Sequence, residues 1–349
     1  MKKIAKILIA FILSLILLFG IFLIYSTLSN YSPQPIEKIS ESEGNVINVY
    51  DTLNVFDWNL GYCGLGDDMS FFYDGGDKTR TSKPRTLENL RQIKRQIKNN
   101  DSIDFYLFQE VDKKSRRSFK TNQMDSISAI LPNYSESFAI NYKVAFVPMP
   151  PNNPLGKVLS GLASFSKYEP FKVSRYSFPA NYDWPVGLFF LDRCFMVQRF
   201  YTSNGKELLI INTHNSAYDD GTLRKKQMQV IKGFLLDEYK KGNYILVGGD
   251  WNQSPPKHGK ESVEGKEGRL TRISIAHDFM PQGWSWQYCE KTPTNRMINE
   301  AYKPGETVTT TIDFYLLSPN LQAVAQKNID LQFKNSDHQP TLLSFTFLR

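Results

Sequence analysis

The most regular pattern along the chain is a series of short apolar runs that stop at polar residues. These runs predict buried strands over residues 55–59, 104–110, 208–214 and 244–247, and a further strand begins at Thr311. Each strand carries polar groups at or near one end. Because strand ends meet at one rim of packed sheets, we expect these polar side chains to lie together on a rigid scaffold.

Two stretches have the apolar spacing of amphipathic helices. Residues 84–98 place Leu87, Leu90, Ile93 and Ile97 on one face, and residues 223–239 do the same with Met228, Ile231, Leu235 and Leu236. Each predicted helix precedes a strand that ends in polar residues. The chain shows no repeat of fixed period, so this order of helices and strands predicts one mixed α/β domain over residues 45–349.

The N-terminal segment differs in composition from the rest of the chain. Three lysines precede an uncharged run over residues 7–25, which at about 1.5 Å per residue nearly crosses a hydrocarbon core of about 30 Å. The lysines favour an orientation with the domain outside the cytoplasm. No A-x-A cleavage pattern follows, so we interpret residues 1–29 as a signal anchor, with a cleaved signal peptide as the alternative. Residues 30–44 are predicted to be a linker.

Two polar motifs at the predicted rim suggest chemistry. Asp250 and Asn252 follow the strand at residues 244–247, and their spacing of two points both side chains to the same side. Asp337 and His338 lie next to each other before a C-terminal strand. A carboxylate, a carboxamide and an imidazole at one rim can hold an oxyanion-bearing substrate or a hydrated metal ion.

Six rim motifs occur along the chain in the order WN (58–59), QE (109–110), NTH (212–214), GDWN (249–252), IDF (312–314) and SDH (336–338). On these motifs the chain from about residue 47 resembles the endonuclease/exonuclease/phosphatase superfamily. That superfamily includes deoxyribonuclease I, exonuclease III, neutral sphingomyelinases and inositol polyphosphate 5-phosphatases. The resemblance implies an α/β fold, a four-layer sandwich of two central β-sheets flanked by helices, here preceded by one N-terminal transmembrane helix.

The resemblance also implies a metal centre. Asn59 and Glu110 would hold Mg²⁺, which prefers a few hard oxygen ligands and keeps several waters; Mn²⁺ or Ca²⁺ could replace it. Asp337 would reach the metal or its water shell. Gly61 departs from the pattern of abasic-site endonucleases, which often carry Asp two residues after the Asn. One additional carboxylate ligand is therefore absent.

The remaining site residues are expected to carry the chemistry of phosphoester hydrolysis. The family pattern gives Asp250 the task of orienting or deprotonating the attacking water, and Asn252 the task of holding a phosphate oxygen. His338 would contact the phosphoryl group, with Asp313 orienting or charging its imidazole. His214 would donate a further hydrogen bond to the pentacovalent transition state.

Two aromatic stretches follow rim motifs and have two possible roles. Residues 61–76 are rich in glycine and contain Phe71, Phe72 and Tyr73. Residues 251–296 include a charged loop at 257–269 and the sequence WSWQY at 284–288. Their aromatic side chains could contact a substrate or a lipid interface, or could cap the ends of the sheets.

The net charge and the cysteine content give only weak information about the partner and about disulfide bonds. The formal net charge is +7; Lys2, Lys3 and Lys6 contribute three of it, which leaves +4 for the rest. That balance suits an anionic partner such as a nucleic acid, a phospholipid headgroup or a sugar or inositol phosphate. The three cysteines lack metal-ligand spacing, and we expect free thiols, with one disulfide as the alternative.

The function best supported by these residues is a membrane-tethered, metal-dependent phosphoester hydrolase that acts outside the cytoplasm as a monomer. A nuclease, a lipid phosphodiesterase and a phosphatase remain open. The alternatives are an inactive binding module that keeps the fold and a structural envelope protein. Both leave the joint presence of Glu110, Asp250, Asp313 and His338 unexplained.

Overall fold

Two mixed β-sheets packed face to face form the centre of the protein. The computed structural model describes residues 2–100, 102–179, 182–256, 265–267 and 270–348. Most of the charged loop at 257–269 therefore lies outside the described residues.

The elements within those ranges alternate along the whole chain. The helices are α1 (Lys2–Leu28), α2 (Lys83–Lys98), α3 (Gln123–Ser128) and α4 (Thr222–Lys240). The strands are β1 (Ile36–Glu41), β2 (Val46–Ile47), β3 (Leu53–Asn59), β4 (Phe105–Asp112), β5 (Ser135–Val147), β6 (Gly156–Ser166), β7 (Lys172–Ser177), β8 (Cys194–Thr202), β9 (Glu207–His214), β10 (Tyr244–Asp250), β11 (Gly265–Glu267), β12 (Leu270–Arg272), β13 (Ser285–Gln287), β14 (Asn295–Arg296), β15 (Thr309–Thr310), β16 (Asp313–Leu317), β17 (Leu321–Asn328) and β18 (Thr341–Phe347). All five predicted strands and both predicted helices are confirmed, with small shifts at their ends.

The two sheets have different strand orders, and both are mixed. The larger sheet has the order β1-β7-β8-β9-β10-β16-β13, with β2 added in parallel beside β8. The smaller sheet has the order β17-β18-β3-β4-β6-β5. The parallel pairs β9 with β10 in the larger sheet and β3 with β4 in the smaller sheet each bring two predicted rim motifs side by side.

Apolar side chains from both sheets meet in the middle layer of the sandwich, and helices cover the two outer faces. Val55, Leu107, Leu246 and Tyr315 belong to the shared core between the sheets. On the outer face of the smaller sheet, α2 contributes Leu90, Ile93 and Ile97 and α3 contributes Met124 and Ile127. On the outer face of the larger sheet, α4 contributes Met228, Ile231 and Leu235. The expected four-layer sandwich is thus confirmed.

Local capping explains where the helix before β10 begins. Gly221 adopts a positive φ of 96° just before α4, a conformation that glycine accepts without steric cost. The carboxylate of Asp219 accepts hydrogen bonds from the backbone N–H groups of Gly221, Leu223 and Arg224. These bonds satisfy amides that the first helical turn leaves free, and the negative charge suits the helix N-terminus.

The N-terminal run forms α1, which is the one helix among the described residues long and apolar enough to cross a membrane. The prediction that residues 30–44 are only a linker was wrong for part of that segment. Ile36–Glu41 is strand β1, which pairs with β7 at the edge of the larger sheet. An edge strand needs no continuous apolar pattern, so the polar sequence IEKISE concealed it.

The second aromatic stretch serves the fold rather than the surface. Trp286 on β13 packs against Trp251 and Phe314, with ring centroids 5.3 and 5.6 Å away.

Cys63, Cys194 and Cys289 are free thiols, as expected.

Candidate active site

Strand register places three predicted residues in a row at one rim of the larger sheet. Asp250, the last residue of β10, pairs with His214 on β9 and with Asp313 on β16. The preceding Gly249 has a φ of 138°, and a Cβ there would collide with the carbonyl oxygen of Thr213. Only glycine allows the chain to turn so closely against its neighbour and present the next carboxylate at the rim.

Asp313 and His338 form a buried carboxylate–imidazole pair. The Nδ1 atom of His338 lies 3.0 and 2.9 Å from the two carboxylate oxygens of Asp313. Burial alone would lower the pKa of His338, but the carboxylates of Asp313, Asp337 and Asp250 outweigh it and raise that pKa well above its usual range. The contact with Asp313 therefore favours the protonated imidazole.

The opposite nitrogen of the same imidazole points into the site. Nε2 of His338 lies 3.8 Å from Oδ2 of both Asp250 and Asp337, and 3.1 Å from the amide nitrogen of Asn295. With Nδ1 held by Asp313, Nε2 faces the side chains of Asp250, Asp337 and Asn295. The role expected from sequence for the pair stays a prediction.

Asp250 is held on both oxygens in a buried position. Oδ1 accepts the backbone N–H of Asn252 at 2.9 Å, and Oδ2 accepts the amide of Asn59 at 2.9 Å. Burial raises the pKa of Asp250 to about 7, with the cation of His338 opposing and the carboxylate of Asp313 adding to the rise. A carboxylate that titrates near neutrality is suited to accept a proton from water.

His214 lies beside Asp250 in a neutral state. Its Nε2 is 3.4 Å from Oδ2 of Asp250, and its Nδ1 has no hydrogen-bond partner among the described residues. Burial lowers the pKa of His214 well below its usual value, and the nearby cations of Arg193, His338 and Arg117 lower it further. The imidazole can therefore donate a hydrogen bond without adding positive charge.

The predicted metal ligands lie on the smaller sheet and on the loop before β18. Asn59 ends β3, directly beside Gln109 on β4. Glu110 follows with a positive φ of 55° in a β-bulge, which turns its carboxylate out of the sheet plane. Burial raises the pKa of Asp337 to about 6; the cation of His338 opposes this rise, whereas the carboxylate of Glu110 adds to it.

This donor set fits a hard divalent cation. Asn59, Glu110 and Asp337 supply carboxamide and carboxylate oxygens, which Mg²⁺ and Mn²⁺ prefer. A Cβ at Gly61 would lie 2.7 Å from Oδ1 of Asp337, so the small residue leaves room for the carboxylate that an Asp at this position would displace. A second group, Asp250, Asp313 and His338, has donor atoms within 4.8 Å of one another. There the Asp313–His338 hydrogen bond already uses two of the donors.

Asn252 lies at the rim in a left-handed conformation, with φ 50°. Its side-chain amide donates to the carbonyl of Asn215 at 2.8 Å, and its own carbonyl accepts a bond from Arg224 at 2.8 Å. Asn215 and Arg224 therefore fix the position of Asn252 and of the backbone N–H that it gives to Asp250.

A cleft with a volume of about 160 Å³ opens above these residues. The chemical groups at its base are Glu110, His214, Asp250, Asn252, Asp337 and His338, which are six of the eight residues expected from sequence. Of the other two, Asn59 and Asp313 are bonded to Asp250 and His338 from behind. Phe71 and Tyr73 of the first aromatic stretch also line the cleft.

Sequence reasoning assigned none of the four arginines that line the same cleft to the site. Arg117, Arg193, Arg224 and Arg296 come from separate parts of the chain and are all nearly fully buried. Arg117 bonds Asp112 and stacks on the ring of Tyr62 at 3.8 Å. In the sequence these arginines resemble surface cations, because no local pattern distinguishes a buried arginine from an exposed one.

A polar network between the sheets was also missed, although two of its members lie in the motifs. The side-chain amide of Gln109 donates to Asp57 at 2.7 Å and to Asn212 at 2.8 Å. Asn212 donates in turn to the carbonyl of Phe108. Gln109 and Asn212, the first residues of the QE and NTH motifs, therefore have a structural role, because they form a hydrogen bond across the sandwich.

The sequence profile of the endonuclease/exonuclease/phosphatase family matches residues 58–338. The chain belongs to this family. Membership implies a phosphoester hydrolase-type function and the use of a divalent metal. No curated protein sequence matches the chain.

Several solved structures share the fold at low sequence identity. An endonuclease/exonuclease/phosphatase from Beutenbergia cavernae has a TM-score of 0.58 at 15% identity, over 85% of this chain and 72% of that one. The D. rerio protein TDP2, complexed with single-strand DNA product, has a TM-score of 0.53 at 13% identity, over 85% and 99%. A mannosyl-6-phosphatase from Bacteroides thetaiotaomicron has a TM-score of 0.53 at 13% identity, over 84% and 100%.

The contact between Asp313 and His338 predicts that the two residues act as one unit. We expect His338→Ala to lower turnover of bis(p-nitrophenyl) phosphate at least about a hundredfold, the lower end of what one positioned acid–base group contributes. Asp313→Asn should cost less. The double variant should be little worse than His338→Ala, because each change removes the same oriented cation.

Steady-state kinetics and thermal unfolding of the three variants check this expectation. Asp237→Asn, an exposed change far from the site, is the control and should leave turnover unchanged. Additive losses in a folded double variant, or full turnover in His338→Ala, would contradict it.

Proposed function

We propose that the protein is a membrane-tethered, Mg²⁺-dependent phosphoester hydrolase in which water attacks phosphorus. The observation that carries the proposal is the arrangement of Asp250 and His338 at the base of one cleft. Asp250 is a proton acceptor with a pKa near neutrality, and His338 is a cation whose N–H group points at the same space. Hydrolysis of a phosphate ester needs both groups within reach of one phosphorus atom.

Asn59, Glu110 and Asp337 would hold the ion. When bound, it would neutralise charge on the phosphoryl oxygens. Asp250 takes the proton of the attacking water, and its orientation is fixed by Asn59. As the water oxygen bonds to phosphorus, the P–O bond to the leaving group breaks, and the leaving oxygen takes a proton from solvent. His338 donates a hydrogen bond from Nε2 to a phosphoryl oxygen, while Asp313 keeps the imidazolium charged.

His214 and Asn252 would assist from either side of Asp250. His214 is neutral and buried, so it stabilises developing negative charge by a hydrogen bond rather than by its own charge. The side chain of Asn252 is bonded to Asn215 through its nitrogen, which fixes the amide at the rim of the cleft. We assign it to positioning of the substrate phosphate.

The enclosed cleft favours a small phosphate ester over an intact duplex. Its two walls are formed by loops around Tyr73 and Met297, which leave space for one headgroup, sugar or extruded nucleotide. Similar structures include one complexed with single-strand DNA and one mannosyl-6-phosphatase, so both substrate classes belong in the test. An inactive binding module would not require a cationic His338 paired with a buried carboxylate.

Contacts between α1 and the domain support the tether. Phe22 of α1 stacks on Phe189 with a centroid distance of 5.7 Å, and Trp184 donates to Thr27 at 3.1 Å. Phe189 is followed by Phe190 and Leu191, which line the cleft. The three lysines before the apolar run favour placement of the domain outside the cytoplasm. The cleft would then open close to the membrane surface.

Metal dependence is the first test of the proposed function. We expect hydrolysis of a phosphate ester to require Mg²⁺ or Mn²⁺, and Glu110→Gln to reduce both the rate and the apparent metal affinity, because it removes a charged ligand. Rates on plasmid DNA, RNA, sphingomyelin and inositol phosphates should be measured with Mg²⁺ and with chelator. Glu169→Gln, a change at a surface carboxylate, is the control. Full activity in chelator would contradict metal dependence.

Membrane attachment is tested separately from activity. The full-length chain should sediment with membranes and resist extraction by salt, since α1 has no charge within its apolar run. A C-terminal tag should be protected from protease added to the cytoplasmic side. Recovery of the full-length chain in the soluble cytosolic fraction would refute the tether, whatever the catalytic result.

A further inference from the structure

Arg193, the residue before β8, carries a buried charge without a partner. Its side chain lines the cleft, and only 6% of the residue is exposed. Neither Nε nor Nη1 has a hydrogen-bond partner among the described residues, and the guanidinium forms no ion pair with them. An unpaired charge in such a place destabilises the free protein, because the lost hydration is not replaced.

The other buried arginines show that this state is unusual in the molecule. They are all bound to protein groups: Arg117 to Asp112, Arg224 to Asp219, Arg175 to the carbonyls of Ile140 and Asp192, and Arg296 to the carbonyls of Gly66 and Met297. Nε of Arg224 and Nε of Arg296 also lack a hydrogen-bond partner, but the other guanidinium nitrogens of these two residues are bound. Arg193 differs in that its guanidinium forms no hydrogen bond or ion pair with the described residues. A buried polar group without a hydrogen-bond partner is expected to bind a ligand.

A second free donor lies across the cleft wall from Arg193. Asn141 on β5 is 3% exposed and lines the cleft, and its amide nitrogen has no partner among the described residues. Strands β5 and β8 approach each other here, since Sγ of Cys194 lies 3.8 Å from the carbonyl of Ile140. Arg193 precedes Cys194 and Asn141 follows Ile140 in the chain, and both side chains line the cleft.

Two hydroxyl groups near this wall already donate hydrogen bonds. Tyr142 donates to the carbonyl of Phe189, and Tyr218 donates to Asp74, each at 2.9 Å. Among the described residues, the cleft-lining donor atoms without a partner include Nε and Nη1 of Arg193, Nδ2 of Asn141 and the hydroxyl of Tyr62. The nitrogens of Arg193 and Asn141 can donate to several oxygens of one anion, and a guanidinium suits the oxygens of a phosphate.

The wall lies beside the catalytic residues rather than on top of them. Cys194 pairs with His214, and His214 pairs with Asp250. Two strand spacings, roughly 10 Å, therefore separate the start of β8 from the end of β10. The charge of Arg193 nevertheless acts on His214, whose pKa it helps to lower. This separation suits a group that flanks the reacting phosphate.

We propose that Arg193 and Asn141 form a subsite for a second phosphate of the substrate, next to the phosphate that is hydrolysed. The inference rests on the proposed function and narrows its substrate class to esters with two phosphate groups. Arg193 contributes charge and two directed donors, and Asn141 contributes a neutral third donor. In the free protein the guanidinium has no partner, and this lowers the stability of the protein until the second phosphate binds.

Phosphate binding by the metal-free protein tests the subsite without any turnover. The full-length chain in detergent and chelator is titrated calorimetrically with inorganic phosphate. Arg193→Met should weaken binding at least about tenfold, as expected for loss of a charge-assisted hydrogen bond, and Asn141→Leu should weaken it less. Arg91→Met removes the same charge from an exposed side chain and is the matched control.

The thermal midpoint of Arg193 variants is a second test, because a structural role for Arg193 predicts a change in the opposite direction. Without phosphate, Arg193→Met should raise the thermal midpoint by about 2 °C or more, since it removes an unpaired buried charge. Arg193→Gln provides a second variant with the same expected loss of binding. A lower midpoint together with unchanged phosphate binding would overturn the proposal and leave Arg193 a structural residue.

Kinetics separate the flanking phosphate from the reacting one. On bis(p-nitrophenyl) phosphate, which has a single phosphate, Arg193→Met should change turnover less than about threefold, whereas His338→Ala abolishes most of it. An equal loss in both variants would mean that Arg193 contacts the reacting phosphate, and the second-phosphate subsite would be wrong. Absence of any hydrolysis by the wild type would refute the proposed function but leave the binding result interpretable.

Discussion

The buried contact between Asp313 and His338 is the interaction on which the site depends. Asp313 begins β16 of the larger sheet, and His338 precedes β18 of the smaller one. The indole of Trp58 on β3 holds the His338 carbonyl at 2.9 Å. The pair therefore joins the ends of the two sheets at the point where the chemistry takes place. The pair also keeps the imidazolium of His338 close to the neighbouring carboxylates. Without this cation, burial would favour the protonated form of those carboxylates.

The same packing of two sheets explains why so many polar groups are buried around that pair. Gln109, Asp57 and Asn212 exchange hydrogen bonds across the sandwich, and burial raises the pKa of Asp57 well above its usual range. The network joins the sheets even though Oδ2 of Asp57 and the side-chain oxygen of Gln109 have no hydrogen-bond partner among the described residues. It fixes the relative position of the two rims, so Glu110 and Asp250 face each other across the cleft although they belong to different sheets.

The positions of the charged side chains matter more in this protein than its net charge. The net charge of +7 is modest, yet Arg117, Arg193 and Arg296 converge with His338 on one small cleft. Burial makes each of these charges more effective than a surface lysine, because little water screens it. In the same cleft these cations lie beside the carboxylates of Asp74, Glu110, Asp250 and Asp337.

The sequence by itself predicted five of the strands, the two larger amphipathic helices and eight candidate site residues, because apolar periodicity and short rim motifs are local properties of the chain. It did not determine that Ile36–Glu41 joins the sheet, since an edge strand leaves no distinctive pattern. Nor did it identify Arg193 or Asn141, which lie far apart in sequence and become neighbours only where β5 meets β8. Burial decides whether a polar side chain is solvated or functional, and burial is a property of the tertiary structure.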